Sequence, residues 1–100
     1  MESVEIFKAL SNNTRLQILH WLKNPCEHFP EEEGVDMVET GICVGLIQKK
    51  TGLSQSTISE YLSIMQRAGL VKSTRIGQWT YYRRNEEAIS QLIKTIETDI

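Results

Sequence analysis

The chain has 100 residues, 40% apolar and 24% charged, which fits one globular domain and leaves little room for a second. A domain this short buries only about 60 to 70% of its unfolded surface, so self-association is expected. Two cysteines exclude a disulfide-dense secreted module, no apolar run approaches the roughly 18 residues of a membrane span, and the acidic start Met1-Glu2-Ser3-Val4-Glu5 is unlike a basic signal peptide. The reading is a soluble, cytoplasmic protein with no membrane partner.

The net charge of −2 hides an asymmetry. Between Cys26 and Glu39 stand six acids (Glu27, Glu31, Glu32, Glu33, Asp36, Glu39) and no Lys or Arg; between Gln48 and Arg84 seven basic residues (Lys49, Lys50, Arg67, Lys72, Arg75, Arg83, Arg84) face Glu60 alone. Such a basic half can meet phosphates without a high overall pI. Chance clustering of surface charge is the alternative.

Along the chain, Val4, Ile6, Phe7 and Leu10 have the spacing of a short amphipathic helix. Ser11 then reads as a cap for a second helix, Asn12 to Lys23, whose Leu16, Ile18, Leu19, Trp21 and Leu22 wrap widely enough to predict deep burial. Asn24-Pro25 ends it, since proline disfavours a helical residue before it and has no N–H. Residues 25–41 combine two prolines, two glycines and the acids without an apolar period, and read as a long acidic insertion loop. Phe7 and Phe29 are the side chains able to pin it to a core.

Ile42 to Lys50 places Ile42, Cys43, Leu46 and Ile47 on one helical face, and Thr51-Gly52 supplies a left-handed stop. Ser54 caps the next helix, Gln55 to Ala68, in which Ile58, Tyr61, Leu62 and Met65 recur at helical spacing before Gly69. Its other face, Ser56, Ser59, Glu60 and Ser63, is rich in small hydroxyls, weak choices for a helix surface if solubility were the only demand. The period then changes. Leu70 to Ile76 and Trp79 to Arg84 are rich in β-branched and aromatic residues, and Gly77-Gln78 suits a tight hairpin. Asn85 caps a last helix opened by Glu86-Glu87, with Ile89, Leu92, Ile93, Ile96 and Ile100 along one side.

The fold class expected is mainly α with a β-hairpin wing, in the order α-α-α-α-β-β-α, as a single domain over residues 1–100. Two helices joined by Thr51-Gly52-Leu53-Ser54 match a helix-turn-helix, whose second helix lies in the DNA major groove with its N-terminal residues against base edges. Ser54, Gln55, Ser56, Thr57, Ser59 and Tyr61 are thus candidate DNA-binding residues. Gln pairs with adenine through donor and acceptor, and Ser and Thr serve bases or phosphates. Arg75 and Gln78 at the hairpin tip would reach the backbone or minor groove.

Three segments in the right order resemble the ArsR/SmtB (arsenic-repressor) family of winged helix-turn-helix repressors. They are Phe7-Lys8-Ala9-Leu10-Ser11 with Arg15-Leu16, Leu53 through Leu62 continuing to Ala68-Gly69-Leu70-Val71, and Gly77-Gln78-Trp79-Thr80-Tyr81-Tyr82. The resemblance implies a homodimer joined through the first and last helices, whose Val4, Phe7, Ile89, Leu92, Ile93 and Ile96 would form the interface. It also implies binding to an inverted-repeat operator in double-stranded DNA and release by an inducer, here unknown. The apolar Ile89 to Ile100 stripe independently supports a dimer. Tyr61 departs from the His that relatives often carry.

Many members of that family sense metals through a Cys-Val-Cys segment, but here Ile42-Cys43-Val44-Gly45 offers one thiol, and residues 86–100 hold no His for the second known site. No metal or cofactor is expected. Cys43 reads as a small buried core residue, with a Cys26–Cys43 redox disulfide or a soft-metal site of Cys26, His28 and Cys43 as alternatives. His20, beside Trp21, reads as a core histidine. The acidic loop reads as a solvated insertion or as a charge that orients DNA on the opposite face. With no phosphate-binding glycine loop, paired carboxylates or nucleophile–base set, an enzyme is not expected. The competing function is a winged-helix module that binds proteins rather than DNA.

Overall fold

The computed structural model describes residues 3–100, so Met1 and Glu2 of the acidic start lie outside the described residues. The first helix, α1 (Ser3–Leu10), buries Ile6 and Ala9, and α2 (Asn13–Lys23) buries Ile18, Leu19 and Leu22. The cap of α2 is Asn12, whose Oδ1 accepts from the Arg15 N–H at 3.0 Å; Ser11, expected there, instead donates back to the Phe7 carbonyl at 2.7 Å. Arg15 locks this corner. Its guanidinium donates to the carbonyls of Ala9 and Lys8 at 2.6 and 3.2 Å, satisfying the end of α1, and lies 5.2 Å from the Tyr61 ring centroid. Leu16 and His20 face solvent, which corrects the deep burial expected of both.

The acidic segment is more structured than a solvated loop. Its start is a helical turn, α3 (Pro25–His28), with proline at the first helical position where no N–H is needed. Phe29 and Met37 enter the main core, and Phe29 meets Trp21 edge-on at 6.2 Å. Tyr81 donates its hydroxyl to Glu32 at 3.0 Å, fastening the segment to the sheet.

Ile42–Cys43, read as a helix start, forms instead a two-residue strand, β1, antiparallel to β3 (Trp79–Arg84) with Ile42 opposite Tyr82. The sheet order is β1-β3-β2, with β2 spanning Val71–Ile76. Entry to β1 depends on Gly41, at φ +105°, where any side chain would collide with the Tyr82 carbonyl. Between β1 and β2 lie α4 (Val44–Thr51) and α5 (Gln55–Arg67), which bury Ile47, Ile58, Leu62 and Met65 at the centre of the molecule.

The last helix, α6 (Glu86–Asp99), is capped by Asn85, whose side chain accepts from Ala88 N–H at 3.3 Å and donates to the Gly69 carbonyl at 2.8 Å. One cap thus ties the start of α6 to the end of α5. The apolar stripe of α6 divides in two: Leu92 is buried in the chain's own core and Ile89 packs against it, whereas Ile93 and Ile96 are 53% and 44% exposed. The expected winged helix-turn-helix architecture is present, with α3 and β1 added to the expected order.

Candidate nucleic-acid interface

Gly52, at φ +74°, ends α4 and donates its N–H to the Gln48 carbonyl at 2.9 Å, so the chain reverses before α5. Ser54 then opens α5: its Oγ accepts from the Thr57 N–H at 3.3 Å and donates to Thr57 Oγ1 at 2.9 Å. Burial of Ile58, Leu62 and Met65 fixes the inward face of α5, which leaves Ser54, Gln55, Ser56, Ser59 and Glu60 exposed and Thr57 half-buried. Donors and acceptors therefore gather on the first two turns, where the helix dipole also favours phosphate.

Tyr61 is not part of that face. It is half-buried beside Arg15, and its hydroxyl accepts from Asn12 Nδ2 at 3.5 Å, so it braces α5 against the α1–α2 corner. Arg75 and Gln78 are exposed at the hairpin tip, with Arg75 Nε donating to the Gly77 carbonyl at 3.1 Å. Trp79 and Ile76, paired across the turn, are also exposed. A contact with no sequence signal joins α5 to the wing: Gln66 Nε2 donates to Ser73 Oγ at 3.0 Å, between residues on separate elements. It couples helix and hairpin orientation.

The basic residues divide by employment. Lys50 lies 5.0 and 5.7 Å from the ring centroids of Trp21 and Phe29, and Arg84 makes two hydrogen bonds to Glu86 at 2.9 and 2.6 Å. That pairing holds the Glu86 carboxyl below its ordinary range, while burial, then the bond to Glu32, pushes the Tyr81 phenol up. Lys49, Arg67, Lys72 and Arg75 remain exposed on the half that carries α5 and the wing.

Cys26 is exposed and Cys43 half-buried, both as free thiols, and among the described residues no group of three His, Cys, Asp or Glu side chains is placed to hold a metal ion. The proposed Cys26, His28 and Cys43 set is not assembled. His28 instead faces His20, with ring centroids 5.3 Å apart.

Residues 42–73, which run from β1 through the helix-turn-helix into β2, match the model of the arsR family of bacterial regulatory proteins. The uncharacterized HTH-type transcriptional regulator YbzH of Bacillus subtilis is 55% identical over 100 residues, the whole of both chains. The chain belongs to the arsR family. A second relative of this arsR-family protein, the uncharacterized HTH-type transcriptional regulator MJ1325 of Methanocaldococcus jannaschii, is 32% identical over 96% of this chain and 92% of its own. Among solved structures, the homodimeric winged helix-turn-helix DNA-binding domain Mb0332 of Mycobacterium bovis is similar with a TM-score of 0.67 and 28% identity, covering 95% of this chain and 74% of that one. The arsR-family protein is thus a DNA-binding transcriptional regulator with a winged helix-turn-helix fold. Among the described residues no helix is long and apolar enough to cross a membrane.

Proposed function

We propose that this regulator is a homodimeric repressor that binds an inverted-repeat operator through α5 and the wing and leaves it when an inducer binds. The supporting observation is a pair of surfaces built differently: a polar, hydrogen-bonding first half of α5 beside an exposed hairpin, and an apolar face on α6. Ser54, Gln55, Ser56, Thr57 and Ser59 would serve bases and phosphates in the major groove, with Arg75 and Gln78 on the adjoining backbone or minor groove. Tyr61 acts by holding α5 in place rather than by contact. Ile93 and Ile96, with exposed Val4 on α1, would be covered by a second copy, while Leu92 and half-buried Phe7 support that face from within. The Mb0332 domain, described as homodimeric, favours the same assembly here. As a DNA-binding regulator it would work in the cytoplasm, and residues 1–100 would act as one domain without catalysis.

Selection of binding sites from a random duplex pool at stated salt tests this reading. Enrichment of two half-sites about one helical turn, 34–36 Å, apart is expected of a dimer. Salt-sensitive binding without any enriched sequence would refute operator recognition.

A further inference from the structure

The outer face of the β2–β3 hairpin is covered at its root and bare at its tip. The register runs without a bulge from Val71 opposite Arg84 to Ile76 opposite Trp79. Because Ser73 Oγ accepts from Gln66 of α5, alternation along the strands turns Ser73, Arg75 and Thr80 towards α5 and Thr74, Ile76, Trp79 and Tyr81 away from it. The acidic segment closes the root of that outer face through Glu32, which accepts the Tyr81 hydroxyl at 3.0 Å and leaves Tyr81 only 5% exposed. Next along the same face, Ile76 and Trp79 remain 50% and 53% exposed.

The surroundings of this pair select its partner. A protein surface, including a second copy of the chain, fits poorly: an aromatic side chain offers at most about 250 Å², far below the roughly 800 Å² that each partner of a stable interface buries. Charged residues are also depleted at the centre of protein interfaces, whereas Lys72 and Arg75 are exposed on the same strand as Ile76, and Gln78 is exposed in the turn. An apolar wedge flanked by cations and an amide instead suits the DNA minor groove, where Arg, Lys and Gln follow the groove while the wedge parts two base pairs and kinks the duplex. The pair is continuous with the polar start of α5 and the wing. The exposed carboxylates of Glu31 and Glu33, beside the covered root, repel phosphate, so a duplex meets this face at the tip.

We propose that Ile76 and Trp79 form a wedge that enters the minor groove and opens one base step, so that the operator is read there by its ease of deformation. Pyrimidine–purine steps, TA and CA/TG, are kinked and unstacked most readily and are the ones the wedge selects. The inference rests on the reading of α5 and the wing as the operator-binding face, and adds specificity at a position where no hydrogen bond to a base is needed.

The chain has two tryptophans, so Trp21→Phe leaves Trp79 as its sole indole emitter. In this full-length variant, quenching of Trp79 by acrylamide should fall when the operator selected above is added, because a wedged indole is shielded from solvent. If Trp21→Phe fails to fold, the difference between the parent and Trp79→Phe gives the same signal. Energy transfer between labels on the two ends of the operator should report a bend of at least about 20°. Ile76→Ser together with Trp79→Ser should straighten the operator and weaken binding at least about fivefold, the lower end of what a base–aromatic contact is worth. Selection from random duplexes repeated with this double variant should keep the half-sites read by α5 and lose the enriched TA and CA/TG steps beside them. Equal quenching of Trp79 in free and bound protein, a straight operator, or the same flanking steps enriched by the double variant would each overturn the wedge and leave the α5 reading standing. Shielding of Trp79 that grows with protein concentration in the absence of DNA would place a second copy on the pair and overturn it as well. A parent chain that enriches no sequence refutes the operator reading, and the wedge with it.

Discussion

Phe29 decides whether the acidic segment is part of the fold or an appendage to it. It is only 6% exposed, sits in the main core cluster, meets Trp21 edge-on and lies beneath the Lys50 ammonium. Burial of the ring gives a Phe→Ala change a cost of about 3–5 kcal/mol. The aromatic pair adds roughly 0.5–1.5 kcal/mol of that, and the cation roughly 0.5–1 kcal/mol. Because Phe29 lies where a short segment can settle into the vacated space, the lower end applies, about 3 kcal/mol for Phe29→Ala. In a domain of this size that lowers Tm by at least about 12 °C, at 4 °C or more per kcal/mol. Urea unfolding at fixed protein concentration measures it, with Phe29→Leu as a milder control, and Glu-specific proteolysis at Glu31 and Glu33 should speed up in parallel. A loss below about 1 kcal/mol, the ordinary scale of a surface or loop change, with proteolysis unaltered, would refute the reasoning: residues 25–41 would then be a solvated insertion.

The remaining tests separate the surfaces. Gln55→Ala should cost about 1–3 kcal/mol on the selected operator and relax its preference at one base position, whereas Arg75→Ala should weaken all duplexes alike and reduce the salt slope by about one; anisotropy across salt and sequence distinguishes them. Ile93→Glu together with Ile96→Glu should yield monomers in sedimentation, and an unchanged profile rules out α6 as the dimer seam. Glu86 has a lowered pKa, so its contribution to stability is present above its ordinary value of 4.5 and is lost as pH falls through the lower folded value. Glu86→Gln should flatten the acid limb of the stability–pH curve below about pH 4.5, and an acid limb identical to that of the parent would show that the pairing with Arg84 contributes nothing.

Elements whose ends are set by local chemistry were legible in the sequence. Ser54 and Asn85 cap the helices they precede, Gly52 closes α4, and Gly77-Gln78 turns the hairpin, because each acts on backbone groups within a few residues. What escaped the sequence depends on distant partners. Strand β1 exists only through its pairing with Tyr81 and Tyr82, and its two residues are too few to show a period. The four residues of α3 are hidden for the same reason. The polar start of α5 was legible from its hydroxyls, but the inward turn of Tyr61 depends on Arg15, 46 positions earlier, and the division of the α6 stripe on how that helix rests against the core.

The close approach at Gly41 bears on how the acidic segment can change. Around its anchors at Phe29, Glu32 and Met37 it presents the exposed carboxylates of Glu31, Glu33 and Glu39, where a change of charge leaves the core untouched. Its exit has no such latitude, because the chain must pass against the Tyr82 carbonyl to enter the sheet. The segment is therefore pinned at its core residues Phe29 and Met37, at the Glu32–Tyr81 bond and at this exit, with freedom only between those points. Grafts between relatives should succeed when they keep Gly41 and core-filling side chains at positions 29 and 37, and fail when they replace Gly41.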